Sequence, residues 1–232
     1  MKNNSGPSFG VVVIIAILLY GWLTPSDPAS SATKPSATAT MSTSSASTKE
    51  TTKEPGAVEA SESSGGYDRD RFGQAWSDDV SVAGGHNGCD TRNDILAAQL
   101  TEVTFKVKTR NCVVMSGKLI DPYSGRHVDF VKANASIVQI DHIVALSLAW
   151  QLGADRWSDD LRRDFANDPD NLLATYGPIN TGKSDKSPAE WSPTTKSGRC
   201  LYATRFAKVA GKYAIDVPNS DRVALAKMLT DC

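Results

Sequence analysis

The chain has 232 residues, 40% of them apolar, and a formal net charge of −1. That is enough for one sizeable domain and too near neutrality for a global field that gathers polyanions. From Tyr67 to Cys232, 21 Lys and Arg stand against 21 Asp and Glu, so any phosphate-binding site has to be a local patch.

The N-terminus carries one Lys at position 2, then an apolar run from Val11 to Leu23. A run of about 13 residues is shorter than the roughly 20 that a membrane-spanning helix needs. Ser30 and Ala32 offer small residues ahead of a cleavage point, so residues 1–32 read as a signal peptide, with an uncleaved signal anchor, and hence a membrane tether, as the alternative. Residues 33–66 are Ser, Thr, Ala, Pro, Lys and Glu with almost no large apolar side chain. Such a segment cannot bury enough surface to offset its ordering entropy and reads as a disordered linker.

Residues 67–232 are the expected folded domain, and they hold all four cysteines, at 89, 112, 200 and 232. An even number in a chain that reads as exported predicts two disulfides. Of the three connectivities, Cys89–Cys112 with Cys200–Cys232 closes the shorter loops. A zinc site using His86 and Cys89 is the competing reading of His-x-x-Cys spacing.

In chain order, Asp90-Thr91 offers an N-cap ahead of Ile95, Leu96 and Leu100, which predicts a short helix. Cys112–Leu119 and Arg126–Phe130 read as two strands joined by the Pro and Gly turn at 121–125. Ile137–Ile140 is a further short strand, Val144–Leu152 a buried helix closed by Gly153, and Ser158-Asp159 caps a helix running to about Ala166. Tyr202–Tyr213 and Ser220–Leu229 both have helical apolar spacing. The fold class is therefore α+β, with helices around small hairpins. Trp76, Trp150, Trp157 and Trp191 are expected in the core.

The chemistry concentrates in Gln139-Ile-Asp141-His142, then Asp168-Pro-Asp170-Asn171-Leu-Leu173, then Asn180-Thr-Gly-Lys183-Ser-Asp185. Hydrolysing a phosphodiester calls for a water deprotonated near neutral pH, neutralisation of phosphate charge and stabilisation of the departing oxygen. A histidine titrates in the right range for the base, and a carboxylate with an amide oxygen makes a hard ligand pair. Each dipeptide alone means little; the ordered conjunction carries the inference.

That conjunction resembles the HNH, or ββα-metal, nucleases. Its nine-residue gap between asparagines is similar to that in the HNH domain of RNA-guided DNA nucleases, and the chain is also similar to the nuclease domain of GmrSD-type restriction enzymes. It looks closer still to small exported bacterial HNH proteins, whose domain opens as Tyr67-Asp-Arg-Asp-Arg71 does. The resemblance implies an HNH core over residues 139–193, embedded in a disulfide-stapled domain with flanking helices. It implies His142 as general base, Asp141 and Asn180 as metal ligands, Asn171 supporting the His142 loop, and Lys183 on a phosphate oxygen. The common pattern often ends in His where Asn180 stands, which favours Mg2+ or Mn2+, with Zn2+ as the alternative.

The expected activity is an exported, secreted or cell-surface endonuclease, cutting DNA rather than RNA with little sequence preference. Two other readings stay open: an inactive surface-tethered module that binds nucleic acid, and a hydrolase of cell-wall or lipid phosphodiesters. Arg69 and Arg71 are candidates for phosphate or for pairing with nearby aspartates. Arg126 and His127, just past the Gly125 turn, are candidates to face the substrate or to sit on a solvated hairpin, and His86 reads as an exposed loop residue.

Overall fold

A computed structural model describes residues 66–230 and 232; the signal and linker expectations lie outside the described residues. The fold is α+β, held by two disulfides, Cys89–Cys112 and Cys200–Cys232. The pairing that closes the shorter loops is the one formed, and it removes Cys89 from any zinc site.

Helix α1 (Thr91–Gln99) is capped by Asp90, whose carboxylate accepts from Asn93 N at 2.9 Å. It packs on an antiparallel sheet of β1 (Thr101–Phe105), β2 (Val114–Ile120) and β3 (His127–Val131), in that order. β1 was not anticipated: its alternating Thr-Glu-Val-Thr-Phe is short and mostly exposed, and it gains definition only from pairing with β2. The β2–β3 turn is fixed by the buried Asp121 carboxylate, which accepts from Ser124 N at 2.8 Å, Tyr176 N at 2.8 Å and the Thr175 hydroxyl.

The second sheet is a two-stranded ribbon, β4 (Val138–His142) against β5 (Leu172–Tyr176), with His142 opposite Leu172. Between these strands the chain makes α2 (Leu146–Gln151) and α3 (Asp159–Asn167), and after β5 it enters α4 (Gly177–Lys183). Strand, strand and helix make a ββα unit opened by a helical insert. Gly177 is required here: a Cβ would stand 2.3 Å from the Ser136 carbonyl oxygen, so only glycine lets α4 begin against the turn that feeds β4.

Because strand neighbours face opposite ways, Leu172 joins a core with Ile95, Val114 and Phe130, while Leu173 joins one with Phe165, Tyr202 and Phe206. The ribbon is thus buried on both faces, which fixes its register. The second core is closed by α5 (Lys196–Lys212) and α6 (Asn219–Thr230). α5 begins earlier than its apolar spacing predicts because the Thr195 hydroxyl caps it, accepting from Gly198 N at 3.0 Å.

Candidate active site

A cavity of about 560 Å3 is lined by Asp141, His142, Gln139 and Asn180, together with Arg69 and Trp76. The ribbon delivers the first three and the helix after it the fourth.

His142 ends β4 with its ring enclosed. Its Nε2 lies 2.9 Å from the carbonyl oxygen of Ala166, at the end of the α3 insert. A carbonyl only accepts, so Nε2 carries the proton and Nδ1 keeps the lone pair, with no hydrogen-bond partner among the described residues. Trp76 stacks on the imidazole, ring centroids 5.9 Å apart and planes 15° from parallel. Burial disfavours the imidazolium and lowers the His142 pKa to about 3, although the Ala166 carbonyl pulls upward; the Arg69 and Lys183 cations add to the lowering. His142 is therefore neutral at physiological pH, in the tautomer that a base needs.

Asp141 and Lys183 are brought together in the interior. Lys183 Nζ donates to Asp141 Oδ1 at 2.9 Å and to the His142 carbonyl at 2.8 Å, and neither side chain is more than 3% exposed. Tyr123, delivered by the β2–β3 turn, donates to Asp141 Oδ2 at 2.6 Å. Burial pushes the Asp141 carboxyl upward, and the lysine and the phenol draw it back. Lys183, expected on a phosphate oxygen, is instead sealed beneath the cavity: one helical turn past Asn180, its stem runs inward and its ammonium is spent on Asp141 and the strand end.

Asn171 acts on the chain that leaves His142. Its Oδ1 accepts from Val144 N at 2.9 Å, its Nδ2 donates to Val144 O at 3.2 Å, and its own carbonyl accepts from Ile143 N at 2.8 Å. Arg205 of α5 steadies the same turn from behind, donating to the carbonyls of Asp170 at 2.9 Å and Leu172 at 3.1 Å. Asn180 is half-buried and lines the cavity; its Nδ2 donates to Gln139 Oε1 at 2.8 Å, and its Oδ1 has no hydrogen-bond partner among the described residues.

A divalent cation has hard oxygen donors in the Asp141 carboxylate and Asn180 Oδ1. Each Asp141 oxygen already accepts one hydrogen bond and retains a second lone pair. Among the described residues no three His, Cys, Asp or Glu side chains form a metal cage. Asp141 and Asn180 would offer two hard oxygens, which would suit a small hard ion completing its shell with water. The residues fit such an ion and fit a closed zinc centre poorly.

The sequence reading missed Tyr123, Gln139, Arg92 and Trp76. A lone aromatic in a Pro-Gly turn gave no signal for Tyr123. Gln139 lies two residues before Asp141, the strand period that puts both on one face, and could have been found. Trp150 lies in one core with Trp157 and Trp191 packed against it, as expected, and Trp76 packs against the other core while also lining the cavity. Arg126 lies over the Tyr176 ring at 4.7 Å, and the exposed His86 lies 3.9 Å from Asp79; neither lines the cavity.

The family described as GmrSD restriction endonucleases, C-terminal domain, matches residues 90–228. A protein of Arthroderma benhamiae described as an uncharacterized secreted protein is 35% identical over 169 residues, covering 72% of this chain and 76% of that protein. No solved structure matches the chain.

Proposed function

The chain belongs to the family of GmrSD restriction endonuclease C-terminal domains, and from that membership we propose that it is an HNH-type, metal-dependent endonuclease that hydrolyses nucleic-acid phosphodiesters. The observation that carries this reading is the pinned imidazole: with Nε2 held by Ala166, His142 offers a basic Nδ1 beside the Asp141 and Asn180 oxygens that line the same cavity.

In this reading His142 Nδ1 takes the proton of an attacking water, and the Ala166 carbonyl stabilises the imidazolium that forms. Asn171 keeps the base in place by holding the Val144 backbone. Asp141 and Asn180 hold the divalent ion, Mg2+ or Mn2+, which when bound supplies charge neutralisation at the phosphate and the leaving oxygen. Lys183 is a positioning residue that orients the Asp141 carboxylate and caps the strand end. The folded domain is residues 67–232, with its catalytic core at 139–193.

DNA is the proposed substrate, as for the restriction enzymes that give the family its name. An extracellular or cell-surface location is supported by the two disulfides and by the secreted description of the Arthroderma relative. That relative is fungal, so the likeness extends past the bacterial proteins first invoked.

The test is cleavage of plasmid DNA and of RNA by the purified full chain with Mg2+, Mn2+ or EDTA, beside His142→Ala. Metal-dependent cutting that the substitution abolishes supports the reading and ranks the substrates. Folded protein that cuts neither polymer with either metal removes it, and binding without cutting turns the site into a recognition module.

A further inference from the structure

Four Asp and Arg side chains line the main cavity, and three of them are committed. Asp141 is neutralised by Lys183. Asp185 accepts from the Ser147 hydroxyl at 3.1 Å. Arg92 uses its Nη2 on the backbone carbonyls of Ala135 and Val138, at 3.1 and 2.9 Å. Arg69 is different: its side chain has no hydrogen bond or ion pair to any described residue, and it is exposed.

Its backbone, by contrast, is anchored. Arg69 begins a 3-10 turn, Arg69–Phe72, capped by Asp68, whose carboxylate accepts from Asp70 N at 3.0 Å. Phe72 is 1% exposed, packed on Trp150 and Phe165, and Arg162 of α3 donates from Nε to the Arg71 carbonyl at 2.8 Å. Arg71 itself lies over the Trp150 ring at 5.7 Å, away from the cavity lining. The fold thus spends a buried phenylalanine and a buried arginine on holding a turn whose unspent cation faces the base. Arg69 acts electrostatically on both the Tyr67 phenol and the His142 imidazole.

We infer that Arg69 binds a phosphate oxygen of the nucleic acid in this cavity, making the segment 67–76, which precedes the family-matched residues 90–228, part of the substrate site. The inference rests on the nuclease reading of the same cavity and adds a contact that the family match does not contain. A planar guanidinium on a rigid turn suits a phosphodiester, which it can meet with two parallel N–H groups.

The test is anisotropy of a short labelled DNA strand with the full chain in EDTA, over a salt series, for the parent, Arg69→Ala and Arg69→Lys. Losing one phosphate contact flattens the slope of log K against log salt by about 0.7 for single strands or about 0.9 for duplex. Arg69→Ala should flatten it by that amount, Arg69→Lys should keep the parent slope, and both should melt with the parent because nothing described depends on this side chain. An unchanged slope in Arg69→Ala, or a parent that does not bind, overturns the inference. Cleavage is read separately. A parent that binds through Arg69 and never cuts removes the nuclease reading and leaves this contact standing; one that cuts while Arg69→Ala keeps its slope does the reverse.

Discussion

Lys183 and Asp141 form an ion pair of 2.9 Å in which neither partner has meaningful access to solvent. Removing the cation leaves a carboxylate buried with only Tyr123 as partner, and breaking such a pair costs about 3–5 kcal/mol. Lys183→Met should therefore lower the unfolding free energy measured in urea by that order, and adding Asp141→Asn should restore much of the loss by deleting the uncompensated charge. A single variant that unfolds with the parent would show that the pair has no structural role.

The burial of His142 sets a pH dependence. Its folded pKa of about 3 lies below the ordinary histidine value of 6.5, so between those values the unfolded chain binds the extra proton. The stabilising contribution is complete above pH 6.5 and is lost as pH falls toward 3, at up to about 1.4 kcal/mol per pH unit. Denaturation at stepped pH should show this slope, and His142→Gln should remove it. Equal slopes in the two proteins would place the titration elsewhere.

Activity should carry the same signature. The acid limb of kcat/KM reports the free enzyme, so its midpoint should lie well below pH 6, whereas bound phosphate should move the limb of kcat upward. A kcat/KM limb near the ordinary histidine value would mean that His142 is solvated in the working protein.

Asn171 makes both amide contacts to Val144 from a fully buried position. Asn171→Ala leaves a buried N–H and a buried carbonyl unpaired, a loss of about 1–3 kcal/mol for each unsatisfied group. Cleavage should fall mainly in kcat, because the base shifts while the cavity rim stays. A variant that keeps kcat but loses thermal stability would confine Asn171 to folding.

Asn180→Ala separates metal use from folding. Among the described residues its side chain holds only Gln139, at 2.8 Å, so the melting temperature should change little while the Mn2+ concentration for half-maximal cutting rises about tenfold or more. EDTA should silence both proteins. Unaltered metal dependence would remove Asn180 from the ligand set.

Much of this was legible from residue order. Asp141-His142 at the end of an apolar strand and Asn171 ahead of Leu-Leu are local signals, and β4 and β5 form where those signals stand. The cysteine pairing is the one that the preference for shorter loops favoured among the three possible. β1 escaped notice because five half-exposed residues carry no pattern strong enough to separate a strand from a loop without a partner. Lys183 escaped for another reason. Its spacing from Asn180 places it on the same helix face, yet spacing says nothing of whether that face looks at solvent or at a buried carboxylate.

The sequence by itself determined the order of the ββα unit, the residues proposed as its base and hard-oxygen donors, and the expectation of two disulfides, because each depends on residues close along the chain or on side-chain chemistry alone. Only the tertiary structure decided how those groups work. The tautomer of His142 rests on Ala166, 24 residues away, and the charge state of the Asp141 pocket on Lys183, 42 residues away. The Trp76 stack and the unspent cation of Arg69 depend on how the opening segment folds back over α2 and α3. Hydrogen-bond direction and burial are properties of packed neighbours, and which neighbours meet is set when the two cores close around the ribbon.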